Sequence, residues 1–281
     1  MDPQGEGAEA LEPLEPLLQS LLAVAVAGVP VLRVTAAEIA RMDDEQERIS
    51  GNALASAILR DPLMTLRVLR FLHSHRTRSQ TADITTMAHA IIMLGQARFF
   101  REFQQLPVLE DQVEPDALAV IRGLMSRARL AALLARDWAL LRHDIDPEEV
   151  MVAALLHDTP ELLHALALRA GCLPMQSQPD LRARLFARLE VPGLVAELND
   201  DEPVHSVRVV NVRLACELAC HCHEGWNAQA IATDLAAVQR FLRTSETQAW
   251  ERVRKVVLLA AREWHYYQSP PAAAHMPFIG D

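Results

Sequence analysis

The segment ALLHDTPELLH, residues 154–164, places His157 beside Asp158 at the end of an apolar run. Imidazole and carboxylate side chains are ligands for Mn, Fe, Zn and Mg, and an adjacent His and Asp can form half of a metal site that hydrolyses phosphate esters. Such a site needs further ligands from other helices, because two ligands alone bind a divalent ion weakly. The decisive question is therefore whether the chain supplies the remaining ligands.

A second cluster of metal-binding residue types lies in CELACHCHEGW, residues 216–226. The cluster contains Cys216, Cys220, His221, Cys222 and His223. Thiolates and imidazoles favour zinc or copper. On a continuous helix Cys216 and Cys220 lie one turn apart, whereas Cys222 and His223 point elsewhere. We interpret the cysteines as small buried apolar residues, with a metal site or a redox sensor as the alternatives.

The composition predicts that helices position these residues. The chain has 281 residues, of which 51% are hydrophobic and 23% charged, so a packed core in one large domain or two modest ones is expected. Ala and Leu dominate and aromatic residues make up 5%, which favours an all-α protein. Thr159 and Pro160 are typical of a helix start, so His157 and Asp158 are expected at the corner between two helices.

Helix start and stop signals divide the chain into segments. Residues 1–13 are acidic and contain Pro and Gly, which is typical of a flexible leader. Two helical parts are predicted, an N-terminal part at 14–107 and a second part at 115–223, with an acidic linker between them. Residues 227–267 are predicted to form C-terminal helices that extend or cover the second part, and 268–281 an extended or disordered tail.

The net charge of −10 argues against general nucleic-acid binding, which depends on neutralising phosphates. A local exception is a basic patch that includes Arg67, Arg70, Arg76 and Arg78. We interpret this patch as a solvated helix face and loop. Contact with a partner or with nucleic acid is the alternative.

Cellular location is also constrained by the sequence. Four cysteines, three of them close together, do not form the pattern of a disulfide framework. The acidic N-terminus lacks the basic region of a signal peptide. The apolar run Leu17–Val31 is interrupted by Gln19, Ser20, Gly28 and Pro30, so it is too short and broken to span a bilayer. These features predict a cytoplasmic protein of bacterial type that does not enter the membrane.

Two blocks of sequence carry a family resemblance. The first is LASAILRDPLMTLRVLRFLHS, residues 54–74, followed by ITTMAHAIIMLG, residues 84–95. The second is EEVMVAALLHDTPELL, residues 148–163. Together they resemble the HD-related output domain (HDOD) family, bacterial all-helical regulatory domains related to HD-type phosphohydrolases. The resemblance covers roughly Val29–Cys222 and implies an N-terminal helical bundle packed on a degenerate HD-like bundle.

Individual positions of the first block fit the pattern of this family. The matching residues are Asp61, Pro62, Thr65, Leu69, Ser74, Ile84, Ala90, Ile91, Leu94 and Gly95. His73 stands where the family usually has Asn, and Thr86 stands near the usual Ser.

The same resemblance implies that the metal site is incomplete. Active HD enzymes take ligands in the order His…His-Asp…Asp. The helix expected to supply the first His, Ile121–Leu141, contains none, and Met125 aligns there. The helix expected to supply the last Asp, Val204–His223, contains none, and Cys216 aligns there. Glu161 replaces the usual Lys and would repel a phosphate.

Substitute ligands are conceivable, since His164, His143, Asp144 and Glu217 are available. They could replace the missing metal ligands only if their side chains converged on one position. We therefore interpret His157 and Asp158 as vestigial: Asp158 would accept backbone N–H groups of the next helix, and His157 would pair with a carboxylate or carbonyl.

The predicted function is that of a catalytically inactive HDOD-like regulator, without a cofactor, that acts in bacterial signal transduction through protein–protein interaction. Association with a second copy stays open. One alternative is a metal-dependent HD-type phosphohydrolase or phosphodiesterase acting on nucleotides. The other is a nucleic-acid-binding regulator that uses the Arg67–Arg78 patch.

The C-terminal run WERVRKVVLLAAREWHYY, residues 250–267, has apolar residues on one side and basic residues around the other. It is interpreted as a helix docked on the domain. The alternative is a dimer or partner helix anchored by Trp250, Trp264, Tyr266 and Tyr267.

Overall fold

The computed structural model of the chain describes residues 14–44, 49–75, 86–168, 179–200 and 206–277. Across these ranges the chain is built from helices, and its sole strand-like feature is an isolated parallel bridge between Val31 and Val108. The all-α prediction is confirmed. No helix in the described ranges is long and apolar enough to cross a membrane.

The N-terminal part consists of short helices. They are α1 (Leu14–Gly28), α2 (Arg33–Asp44), α3 (Gly51–Ile58), α4 (Pro62–Ser74), α5 (Met87–Leu94) and α6 (Gln96–Glu102). The bridge ties this part together after α6, because the Val31 N–H donates to the Pro107 carbonyl and the Val31 carbonyl accepts from Leu109. Helix α1 also packs against α9 (Thr159–Leu168) and α10 (Pro179–Arg188), so the two predicted parts share one core.

Asp61, the first residue of the Asp-Pro pair, explains how this part is assembled. One carboxylate oxygen accepts the N–H groups of Leu63 and Met64 at 3.0 and 3.1 Å and so caps α4. The other accepts the Leu32 N–H at 3.0 Å and the Thr35 hydroxyl at 2.7 Å, at the start of α2. Burial raises the pKa of Asp61 and these hydrogen bonds oppose that shift. A single buried carboxylate therefore fixes α2 against α4.

The second part is organised around one long helix, α7 (Pro115–Leu141). It packs mainly against α8 (Pro147–Leu156) and α12 (Val207–His223). Helices α9, α10 and α11 (Gly193–Leu198) complete this part. The side chain of Trp138 on α7 is fully buried within the core.

The C-terminal helices pack against α7 and α12. They are α13 (Ala228–Leu242), α14 (Glu246–Ala261) and α15 (Trp264–Tyr267). Arg129 on α7 forms a bidentate pair with Glu263 at 2.8 and 3.0 Å and also donates to the Leu59 carbonyl at 3.1 Å. This guanidinium joins all three parts of the chain.

Three of the four aromatic residues considered as partner anchors are instead internal. Trp250, Tyr266 and Tyr267 are buried, and Trp264 is 57% exposed. The Tyr267 hydroxyl donates to the Arg60 carbonyl at 2.6 Å, which holds α15 against the N-terminal part. The three buried aromatic side chains therefore fit a helix docked on the domain and do not fit anchors for a partner.

The tail differs from the expected extended or disordered segment. Ala272–His275 forms a 3-10 turn, and Ala272 is buried. The Ala272 carbonyl accepts the indole N–H of Trp226 at 2.7 Å. A buried indole needs an acceptor, and the tail supplies it, which the local sequence of the tail does not reveal. The residues numbered 278–281 lie outside the described ranges.

Candidate functional site

His157 and Asp158 lie at the junction of α8 and α9, as predicted from the Thr-Pro signal. The seven residues Val150–Leu156 at the end of α8 are all buried, which places the junction inside the molecule. Thr159 is the first residue of α9 rather than its cap, and its hydroxyl donates to the Leu156 carbonyl at 2.6 Å. The corner is therefore held by the core on one side and by a local hydrogen bond on the other.

The His157 ring has a partner on each nitrogen. Nδ1 lies 2.9 Å from the Asn199 side-chain oxygen, and Nε2 lies 2.9 Å from Arg182 Nη1. Because a guanidinium only donates, Nε2 must accept, so Nδ1 carries the proton and the ring is neutral. The Asn199 amide nitrogen donates to the Ala153 and Val195 carbonyls at 2.9 and 3.0 Å, which fixes its orientation. The lone pair that a metal would use on Nε2 thus faces an arginine.

Asp158 is held by a second arginine. Its Oδ2 lies 2.7 Å from Arg127 Nε, and the side chains of Asp158 and Arg127 are 11% and 19% exposed. Burial alone would lower the pKa of Arg127, but the charge of Asp158 and its hydrogen bond raise it above the usual value. Among the described residues, the Asp158 side chain accepts from Arg127 instead of from the backbone N–H groups of α9 that the sequence predicted.

The two arginines come from different helices, Arg127 from α7 and Arg182 from α10. Met125, the residue aligned with the missing first His, is fully buried on α7 two residues before Arg127. Sequence reasoning missed both arginines. Arg127 could have been noticed as a cation within the apolar run LMSRARLAALLA, whereas nothing in the sequence around Arg182 distinguishes it from an exposed arginine.

Glu161 lies one turn after Asp158 at the same corner. Its Oε2 is buried and accepts no hydrogen bond from the described residues. Burial and, secondarily, the charge of Asp158 raise the pKa of Glu161 to about 7. The ionised form of Glu161 would repel a phosphate, and the raised pKa makes that form less populated at neutral pH.

Cys216, Cys220 and Cys222, the cysteines that the structure describes, have separate surroundings. Cys216 Sγ is 3.9 Å from the Ala154 carbonyl, and burial raises the pKa of this thiol well above its usual value. Cys220 Sγ lies 3.3 Å from a Glu224 carboxylate oxygen, and burial raises its pKa to about 11. Cys222 is buried on another face of α12, and burial raises its pKa as well. Thiols that stay protonated at neutral pH are poor nucleophiles.

The substitute ligands do not converge either. Within the described ranges, no group of three or more His, Cys, Asp or Glu residues is arranged to hold a metal ion. Asp144 is paired instead with Arg208 at 3.1 Å, at the turn between α7 and α8. His221 on α12 is paired with Asp234 of α13 at 2.7 Å.

The basic patch is described only in part, because Arg76 and Arg78 lie outside the described ranges. Arg67 Nη1 donates to the Val29 carbonyl at 2.7 Å, and Arg70 Nη1 donates to the Ala25 carbonyl at 2.5 Å. Burial lowers the pKa of both arginines. These two arginines bind carbonyl groups at the end of α1.

Comparisons with known proteins agree with the fold. A family model described as HDOD domain matches residues 29–184. A crystal structure of the MmoQ response regulator from Methylococcus capsulatus str. Bath superimposes with a TM-score of 0.61 at 17% identity, covering 80% of this chain and 98% of that chain. A crystal structure of a fragment of the same regulator gives a TM-score of 0.49 at 17% identity, with 74% and 90% covered. No curated protein matches the sequence.

Proposed function

The chain belongs to the HDOD family, and from that premise we propose that it is a catalytically inactive regulator acting in bacterial signal transduction through protein–protein contact. In this proposal the protein works in the cytoplasm and needs no metal or organic cofactor. The His-Asp pair serves as a structural corner that joins α8 and α9 to α7 and α10.

The observation that carries the proposal is the pairing of the His-Asp corner with two arginines. Arg182 donates to His157 Nε2, and Arg127 pairs with Asp158 Oδ2, each at hydrogen-bonding distance. A divalent ion at this position would have to displace both guanidinium groups and would then experience repulsion from two buried positive charges. The cationic charge that a metal would supply is therefore provided by the chain itself.

The signalling part of the proposal is supported by the family and by the similar structure, which is named as a response regulator. In this proposal the His157 and Asp158 side chains are engaged by Arg182 and Arg127 within the chain, and regulation depends on surfaces that contact other proteins.

Metal analysis and activity assays test the catalytic half of the proposal. The protein, produced in medium supplemented with Mn and Fe, is expected to carry no stoichiometric metal and to leave cyclic dinucleotides and nucleotide monophosphates intact. Stoichiometric Mn or Fe together with turnover that His157→Ala abolishes would overturn the proposal. Glu197→Ala, at an exposed position of α11, is the control for nonspecific loss.

A further inference from the structure

A second region of the molecule has charged and apolar groups without partners. The outward side of α14 and the end of α7 line a groove of about 830 Å³, called the outer groove below. Its lining consists of Leu141, Thr244, Gln248, Glu251, Arg252, Arg254, Lys255, Leu258, Leu259 and Arg262. The groove lies on the face of α14 opposite to the buried Val253, Val256 and Val257.

The centre of the outer groove is apolar and exposed. Leu141, Leu258 and Leu259 are 39%, 42% and 48% exposed. Single exposed leucines are common on protein surfaces, but these three line one concavity, and concave apolar surfaces of this kind are typical of interaction sites. Helix α14 therefore carries partly exposed leucines on its outward side in addition to the buried valines on its inner side.

The rim of the outer groove is cationic. Arg252 pairs with Asp137 at 2.8 Å, and Arg254 pairs with Glu251 at 3.3 Å. Lys255 and Arg262 are exposed, and neither forms an ion pair with any residue that the structure describes. Four cations and one carboxylate thus surround the leucines in a chain whose net charge is −10. This surface is opposite in sign to the chain as a whole.

These features define the chemistry of the occupant. The stretch from Gln248 to Arg262 covers about four helical turns, or roughly 20 Å. Lys255, Leu258, Leu259 and Arg262 are spaced at helical neighbour positions, so they present one continuous stripe. A helix laid along this stripe would place apolar residues on the leucines and acidic residues beside Lys255 and Arg262.

We propose that the outer groove docks an acidic amphipathic helix of a partner protein. The inference rests on the proposed function, since it names the surface through which the regulator would make its protein contact. A second copy of this chain is a poor occupant in a two-fold arrangement, because an axis at Leu258 and Leu259 would place Lys255 of each copy against Arg262 of the other. A flat anionic membrane fits a concave surface less well than a helix does.

Binding of a synthetic probe tests the proposal. The probe is a fluorescein-labelled peptide of about four helical turns, with leucines at positions i, i+3, i+4 and i+7 and glutamates elsewhere. Fluorescence anisotropy with the full chain at physiological ionic strength is expected to show micromolar binding. A peptide with the same leucines and with lysines in place of the glutamates should bind at least tenfold more weakly, because the rim repels it.

Variants of the outer groove distinguish binding of the peptide at this site from general electrostatic attraction between the peptide and the chain. The double variant Lys255→Glu with Arg262→Glu should weaken binding of the acidic peptide at least tenfold. Arg136→Glu with Arg184→Glu changes the net charge equally at exposed positions of α7 and α10 and should leave binding within twofold. Leu258→Ser with Leu259→Ser should weaken binding of the peptide without altering the charge.

Several results would overturn the docking proposal. These are absence of peptide binding, equal binding of both peptides, and equal loss in the groove variant and the control. Two further results would also overturn it: self-association in sedimentation velocity that depends on Lys255, and preferential binding to phosphatidylglycerol vesicles. Phosphohydrolase turnover would instead refute the proposed function while leaving peptide binding intact, so the two failures are distinguishable.

Discussion

The His-Asp corner and the outer groove use cationic side chains in opposite ways. At the corner, Arg127 and Arg182 are largely buried and each contacts a group that an HD enzyme would offer to a metal. In the outer groove, Lys255 and Arg262 are exposed and lie beside leucines that the described chain leaves 39–48% exposed. Buried, paired charge fixes one structure, whereas exposed charge beside apolar surface is available for binding. The comparison predicts that substitutions at the corner mainly affect stability and that substitutions in the proposed groove mainly affect binding of a partner.

The largest expected effect is at the corner. Arg127→Met removes the countercharge of Asp158 and should lower the free energy of unfolding by about 3–5 kcal/mol, the usual consequence of leaving one partner of a buried pair uncompensated. Urea denaturation followed by circular dichroism measures the loss. Arg136→Met, at an exposed position of the same helix, is the control and should change stability by less than about 0.5 kcal/mol.

A double-mutant cycle isolates the ion pair itself. Asp158→Asn should lower the free energy of unfolding much less in the Arg127→Met variant than in the wild type. The difference between these two losses is the coupling free energy, which we expect to be about 1–3 kcal/mol. Strictly additive effects of the two substitutions would mean that the corner is not held by this pair, and the contrast with the groove would then disappear.

The elements of this comparison were predictable to different degrees. The helical class and the corner follow from local signals, namely the Ala- and Leu-rich composition and the Thr159-Pro160 pair. The side chains that fill the corner were not predictable. Arg127 and Arg182 lie 31 and 25 residues from their partners, and only the packing of α7 and α10 against α9 decides which arginines reach it.

The outer groove could be predicted only in part, for a related reason. The sequence shows that α14 has apolar and basic sides, yet helix periodicity does not tell which side the rest of the chain covers. Trp250, Tyr266 and Tyr267 were considered as partner anchors and are buried, whereas Leu258 and Leu259 remain exposed. Aromatic type alone was therefore a poor guide to the surface of this helix.

A smaller effect is expected from the pH dependence of Glu161. Its pKa is raised in the folded chain to about 7 from 4.5, so the protonated form is favoured by folding. The folded state is therefore relatively more stable below the unfolded pKa, and this advantage is lost as the pH rises through about 7. Glu161→Gln should remove this pH dependence. The free energy of unfolding of the variant, relative to that of the wild type, should therefore rise by roughly 2–3 kcal/mol between pH 5 and pH 8.

Urea denaturation of wild type and Glu161→Gln across this pH range measures the difference. Glu197→Gln, at an exposed position on α11, is the matched control and should show a constant difference from the wild type. A Glu161→Gln difference that does not change with pH would show that burial at the corner leaves this carboxyl unaffected.

The smallest effect on stability is expected in the outer groove, and it tests the other half of the comparison. Lys255 and Arg262 are exposed, so Lys255→Glu with Arg262→Glu should change the free energy of unfolding by less than about 0.5 kcal/mol. The same double variant is expected to weaken binding of the acidic peptide at least tenfold. If the double variant keeps its stability and loses peptide binding, the two cations act in binding and not in folding. A destabilisation comparable to that of Arg127→Met would instead mean that these cations support the fold, as Arg127 does at the corner.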